Sequence, residues 1–237
     1  DPRTLEVRAQ VGTGGAPEEL FHVGARIGLL GIELETRRRN RMNGTIIEAD
    51  AERFVVRVDQ SFGNCPKYIV KRFHRFADEP SHLGSRSVFL EGPRLSAASI
   101  ELIERADTFF IATASSSLRS ADPAEGLDVS HRGGSPGFVR ASDESGSTTL
   151  VAPDYVGNSH FNTFGNLERN PRAGLLFVDF EKGDVLALTG EAEVVWDGPE
   201  IATFDGALRL LRFRVSVARR IEAAIPLRWS PAGSRDS

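Results

Sequence analysis

The chain has one cysteine, Cys65, among its 237 residues. A disulfide framework is therefore excluded, a reducing compartment is the default, and a cytoplasmic location is expected. A lone cysteine is also more readily a small core residue than a nucleophile. No apolar run approaches the roughly 20 residues that span a bilayer, so no membrane partner is expected. No signal peptide is visible. Net positive charge is missing as well: the formal net charge is −4 and the pI about 5.8. Phosphate backbones need a net basic surface, which argues against nucleic acid as a partner. His22, His74, His82, His131 and His160 are scattered, with no HxH, HExxH or CxxC spacing, so no metal site is expected. There is no GxSxG elbow for a nucleophilic serine.

What is present begins with an internal repeat. Residues 28–44 read "GLLGIELETRRRNRMNG" and residues 174–190 read "GLLFVDFEKGDVLALTG". Both open on Gly-Leu-Leu and close on a glycine, Gly44 and Gly190, and Glu35 matches Glu181. Arg26 and Arg172 stand at the same offset of 146 residues. "TLEV" precedes the first copy and "TTLVAPDY" the second. Apolar strand patterns are degenerate, so chance similarity is the competing explanation. The chain opens on "DPRTLEV" without a methionine, and the expectation is that residues are missing at its front.

Alternation and turn residues predict strands at 4–10, 26–35, 41–49, 53–60, 107–114, 126–131, 137–143, 148–152, 173–180, 185–196 and 211–217. Helices are predicted at 17–23, near Pro66, at 96–106 behind a Ser96 cap, and at 159–169 before Pro171. The fold class is mainly β with a few short helices, arranged as a barrel of antiparallel or mixed strands. Residues 1–76 form a first copy, 77–95 a connection rich in Pro, Gly and Ser, and 96–237 a second copy.

Three stretches could carry chemistry. "SHRGGSPGFVR", 130–140, puts flexible backbone between Arg132 and Arg140. Gly133 and Gly134 would let backbone N–H groups converge on an anion, and the arginines would add forked contacts to phosphate. The plainer reading is a surface loop. "PDYVGNSHFNTFGN", 153–166, offers Tyr155, Asn158, Ser159, Asn162 and Thr163 around a helix start, where free N–H groups attract anions; helix capping alone would also explain Asn158 and Ser159. "TRRRNR", 36–41, is either a solvated hairpin or a set of arginines reaching across an interface.

Together "RGGSPGFV", "NLERNPRAGLLF", "RRRNRMNG" and "QSFGNCPKYI" resemble the FMN-binding split-barrel proteins related to pyridoxamine 5′-phosphate oxidase, in their predicted flavin-nucleotide-binding branch. The resemblance covers nearly the whole chain. It implies a split β-barrel with FMN at the interface of two barrels, here an intrachain pseudo-dimer whose first copy lacks its N-terminal hairpin. The family's phosphate-binding arginine falls at Arg140, and its nearby lysine falls at Thr163, which can donate a hydrogen bond but no charge. Its flavin-reaching pair falls at Arg38 and Arg39, matched in the second copy by Asp184 and Val185. One FMN per chain is then implied, held by Arg132, Gly133, Gly134, Arg140, Asn158, Ser159 and Thr163 with Arg38 and Arg39 facing the ring. No catalytic residue is identified. The implied activity is a flavin-dependent oxidoreductase using NAD(P)H or a partner reductase, possible also as a homodimer. The alternatives are a non-catalytic flavin carrier or electron relay and, less supported by the scattered histidines, a haem protein.

Overall fold

Three antiparallel sheets organise the chain in its computed structural model, which describes residues 3–8, 21–63, 66–77, 86–115, 126–157 and 161–231. The first sheet holds β1 (Thr4–Arg8), β2 (Arg26–Glu33), β3 (Arg38–Ala49) and β4 (Arg53–Gly63), in the order β1-β4-β3-β2. Two strands follow, β5 (Arg72–Phe76) and β6 (Val88–Glu91), and then helix α1 (Ala97–Arg105). The second half continues with β7 (Thr108–Ala114), β8 (Leu127–Gly133), β9 (Arg140–Glu144), β10 (Ser147–Asp154) and helix α2 (Asn162–Leu167). It ends with β11 (Arg172–Val178), β12 (Val185–Val195), β13 (Arg209–Ile221) and β14 (Leu227–Pro231).

The large sheet runs β8-β7-β11-β12-β13-β10-β9, an open path that makes a half-barrel, and β6 joins it along β13. β10 takes the first half of that edge of β13 and β6 the last four residues. β14 pairs with β5, tying the end of the described chain back to the first half.

Local chemistry explains the elements. The Ser96 hydroxyl accepts the Ser99 N–H and caps α1. Glu91 holds that cap, accepting the Ser96 N–H at 2.8 Å and the Ser99 hydroxyl at 2.7 Å. α1 then turns Leu102 and Ile103 into the core. Phe109, Phe177 and Phe213 are fully buried at the centre of the large sheet, with Ile111, Leu150 and Leu186 around them. Each such side chain contributes about 1.5–3 kcal/mol on leaving water. A smaller core of Ile46, Phe54 and Val56 serves the first sheet. Among the described residues, no helix is long and apolar enough to cross a membrane.

The order β1-β4-β3-β2 recurs inside the large sheet as β10-β13-β12-β11. In both, the register slips at a glycine: at Asn43/Gly44 between β3 and β4, and at Thr189/Gly190 between β12 and β13. A Cβ on Gly44 would run into the Arg57 carbonyl oxygen, and one on Gly190 into that of Arg214. Thr4 pairs with Arg57 and Thr149 with Arg214, so the flanking strands sit alike too.

The mainly β reading holds, with differences. β3 begins at Arg38, because the tight turn comes earlier, with Arg37 in the left-handed region at φ 59°. The 77–95 segment supplies β6 instead of a bare connection. Residues 66–70 form a turn, closed by the Ile69 N–H on the Pro66 carbonyl, and not a helix. α2 is shorter than predicted. Most of the helix predicted at 17–23 lies outside the described residues, and 21–23 are not helical.

Candidate functional site

Period-two alternation on β3 sends Arg39 and Arg41 to one face, and that face meets β8. A cleft of about 150 Å³, partly open to solvent, forms there. The first half contributes Arg39, Arg41, Lys67 and Tyr68. The second half contributes the end of β8, residues 153–157 at and just past the end of β10, Phe161 and Phe164 at α2, and Leu208 with Arg209 at the start of β13. Arg39, Arg41, Lys67, Arg132 and Arg209 are its basic lining, and Asp154 is its acidic member among the described residues.

A buried ion pair holds the two walls together. The Arg41 Nη1 donates to Asp128 Oδ1 at 2.7 Å and its Nη2 to the Ser130 hydroxyl at 2.6 Å. Thr163 donates to the other Asp128 oxygen at 2.6 Å, so α2 is fastened to the same carboxylate. Burial pulls the Arg41 pKa below its ordinary value, and Asp128 pushes it back up. The Arg72–Asp107 pair makes a second link between the halves.

Around the cleft, Arg132 pairs with Asp154, and Arg209 lies 3.3 Å from the same carboxylate. Lys67 and the Tyr68 hydroxyl both donate to the Val156 carbonyl, at 3.2 and 2.7 Å. Tyr68 and Tyr155 place their rings 5.7 Å apart. His131 is buried at the wall, and its Nε2 has no hydrogen-bond partner among the described residues. Desolvation, followed by Arg39, Arg132 and Arg72, pushes its pKa down to about 3. It is a neutral imidazole at physiological pH.

The predicted residues divide. Arg39, Arg132 and Gly133 line the cleft, and Thr163 lies beneath it on Asp128. Gly133 serves a different purpose from the one expected: a Cβ there would strike the Tyr68 carbonyl, so the glycine lets the first half approach. The Gly134 N–H donates to the Asp107 carbonyl at 3.0 Å, and this corrects the reading of that N–H as an anion donor. Arg140 does not line the cleft. It is exposed on β9, donates to the Thr203 hydroxyl and carbonyl at 3.0 and 2.7 Å, and stacks on Phe204. Arg38 is exposed on the opposite face of β3 and lines a shallow groove along the β2–β3 hairpin. Asn158 and Ser159 lie outside the described residues.

Sequence reasoning did not single out Arg41, Lys67, Asp128, His131, Asp154 or Arg209, although Arg41, His131 and Asp154 lie within the 36–41, 130–140 and 153–166 stretches. Arg41 was within reach, since it shares a parity with Arg39. Asp154 and Arg209 meet as register partners, while Lys67, Asp128 and His131 come in through the packing of the 66–70 turn and β3 on the second half.

The family model for pyridoxamine 5′-phosphate oxidase matches residues 95–223, just over half of the chain, from α1 through β13. Among solved structures, HupZ from Group A Streptococcus is 16% identical, covering 52% of this chain and 91% of that one, with a TM-score of 0.39. A protein of the pyridoxinephosphate oxidase family from Clostridium acetobutylicum is 15% identical, covering 56% and 92%, with a TM-score of 0.36. The FAD binding protein from Mycobacterium smegmatis is 15% identical, covering 54% and 97%, with a TM-score of 0.32. Comparison with curated proteins gave no significant match.

Proposed function

The chain belongs to the pyridoxamine 5′-phosphate oxidase family, and from that premise we propose that it binds FMN in the cleft between its halves and acts as a flavin-dependent oxidoreductase. The observation that carries this reading is the cleft's lining: basic side chains from both halves beside the rings of Tyr68, Tyr155, Phe161 and Phe164. The donor set fits the cofactor. A phosphate monoester calls for fixed cations, and a planar ring system calls for flat walls. The buried Nε of Arg132 and Nε2 of His131, both without partners among the described residues, add unspent hydrogen-bonding capacity.

When bound, the flavin supplies hydride or electron transfer, and the protein supplies binding and electrostatics. Arg39, Arg132, Arg209 and Lys67 would hold the cofactor. The positive charge of Arg39 at the wall would favour a form carrying extra negative charge. The two halves, 1–76 and 96–237 joined by 77–95, are read as copies of one unit forming a pseudo-dimer, supported by their shared strand order and glycine bulges. One FMN per chain follows, because the arginines of β3 have no counterpart at Asp184 and Val185.

A second reading is a non-catalytic flavin carrier or electron relay serving a partner reductase, for which the same lining would hold the cofactor. The purified protein, titrated with FMN and followed by visible absorption, should show a perturbed flavin spectrum; an unperturbed spectrum would contradict both readings. Bleaching by NADH or NADPH without air and without a partner would mark the oxidoreductase, and its absence the carrier.

A further inference from the structure

Arg132 and Arg209 come from different strands, at the end of β8 and the start of β13, and meet at one carboxylate. Asp154 is the register partner of Arg209 on the neighbouring strand. It contacts Arg132 through Oδ1 and faces Arg209 Nε through Oδ2 at 3.3 Å. Each guanidinium also lies on a ring: Arg132 over Phe164 at 4.7 Å, Arg209 over Phe161 at 4.8 Å and Trp196 at 5.2 Å. Trp196 is held in turn by its indole N–H on Glu168 at 2.8 Å.

Two cations therefore share one anion, and the group keeps one net positive charge in a largely dehydrated place. Ring faces orient a guanidinium but do not neutralise it. Asp154 occupies one side of each arginine, and the Nε of Arg132 is buried without a partner among the described residues. Both arginines line the cleft, and Lys67 adds a further positive charge from the other half. Two forked cations fixed side by side suit a compact, doubly charged oxyanion better than a lone carboxylate.

We propose that Arg132 and Arg209 are the clamp for the phosphate monoester of the bound ligand, with Asp154 as the positioning residue that fixes their spacing. The proposal rests on the flavin reading above and moves the phosphate contact away from Arg140, whose guanidinium is committed to Thr203 and Phe204 outside the cleft.

The test compares FMN with riboflavin, which lacks the phosphate, by quenching of flavin fluorescence. The wild-type protein should prefer FMN by about ten- to hundredfold, the range of a charge-assisted contact. Arg209→Gln should collapse that preference, weakening FMN far more than riboflavin. Arg209→Lys, the milder change, should keep part of it. Asp154→Asn should also narrow the preference, although removing a negative charge would by repulsion alone widen it. Arg140→Gln should leave it intact. A preference retained in Arg209→Gln, or widened in Asp154→Asn, would overturn the clamp while leaving flavin binding in place. A wild-type protein that binds neither flavin would overturn the flavin reading and the clamp with it.

Discussion

Arg41 and Asp128 show what a single buried charge does here. Arg41 is 4% exposed and Asp128 2%, so neither has water to fall back on. Breaking such a pair leaves an uncompensated charge in a poorly polarisable place, at a cost of about 3–5 kcal/mol. Arg41→Met should lower the urea midpoint accordingly, and Arg41→Met with Asp128→Leu should recover much of the loss. His131 acts through pH. Its folded pKa, about 3, lies below the ordinary 6.5, so the unfolded chain takes up the proton first as pH falls. The stability it contributes is whole above about 6.5 and is lost as pH falls toward 3. The slope approaches about 1.4 kcal/mol per pH unit. Thermal melts between pH 6.5 and 4.5 should therefore fall more steeply for the wild type than for His131→Gln; parallel melts would contradict the assignment. At this scale the sequence revealed Arg39 and Arg132, which stand in conspicuous basic stretches. It concealed Asp154 and Arg209, 55 positions apart, which meet only as partners in a strand register.

At the scale of elements, the two glycine bulges make a matched pair. A methyl group at Gly44 or Gly190 would push on the carbonyl oxygen of the neighbouring strand, which cannot move without breaking the ladder. Gly44→Ala and Gly190→Ala should each destabilise by about 1–3 kcal/mol, the usual range for overpacking, measured by chemical denaturation. No loss at either would mean that the bulge relaxes. Most long strands were legible from alternation and β-branched content, and α1 from its serine cap. β5, β6 and β14 were not. They are four or five residues long, and each exists because a distant strand supplies its hydrogen bonds: β14 for β5, and β13 for β6. No local pattern encodes that partnership.

For the whole molecule, neither half holds the cleft alone. β3 and the 66–70 turn bring Arg39, Lys67 and Tyr68; the half-barrel brings Arg132, Phe164 and Arg209. The proposed repeat rests on "GLL" and the closing glycines in the sequence, whereas the asymmetry of the cleft required the packing of β3 on β8. A ligand spanning both walls should respond to changes in either. Arg39→Ala and Arg132→Ala should each weaken FMN by about 1.5–3 kcal/mol per lost charge-assisted contact, measured by fluorescence titration. The most direct measurement is a calorimetric titration of the purified protein with FMN, counting sites per chain. The account predicts saturation at one FMN per chain; no binding, or two equivalent sites, would contradict it.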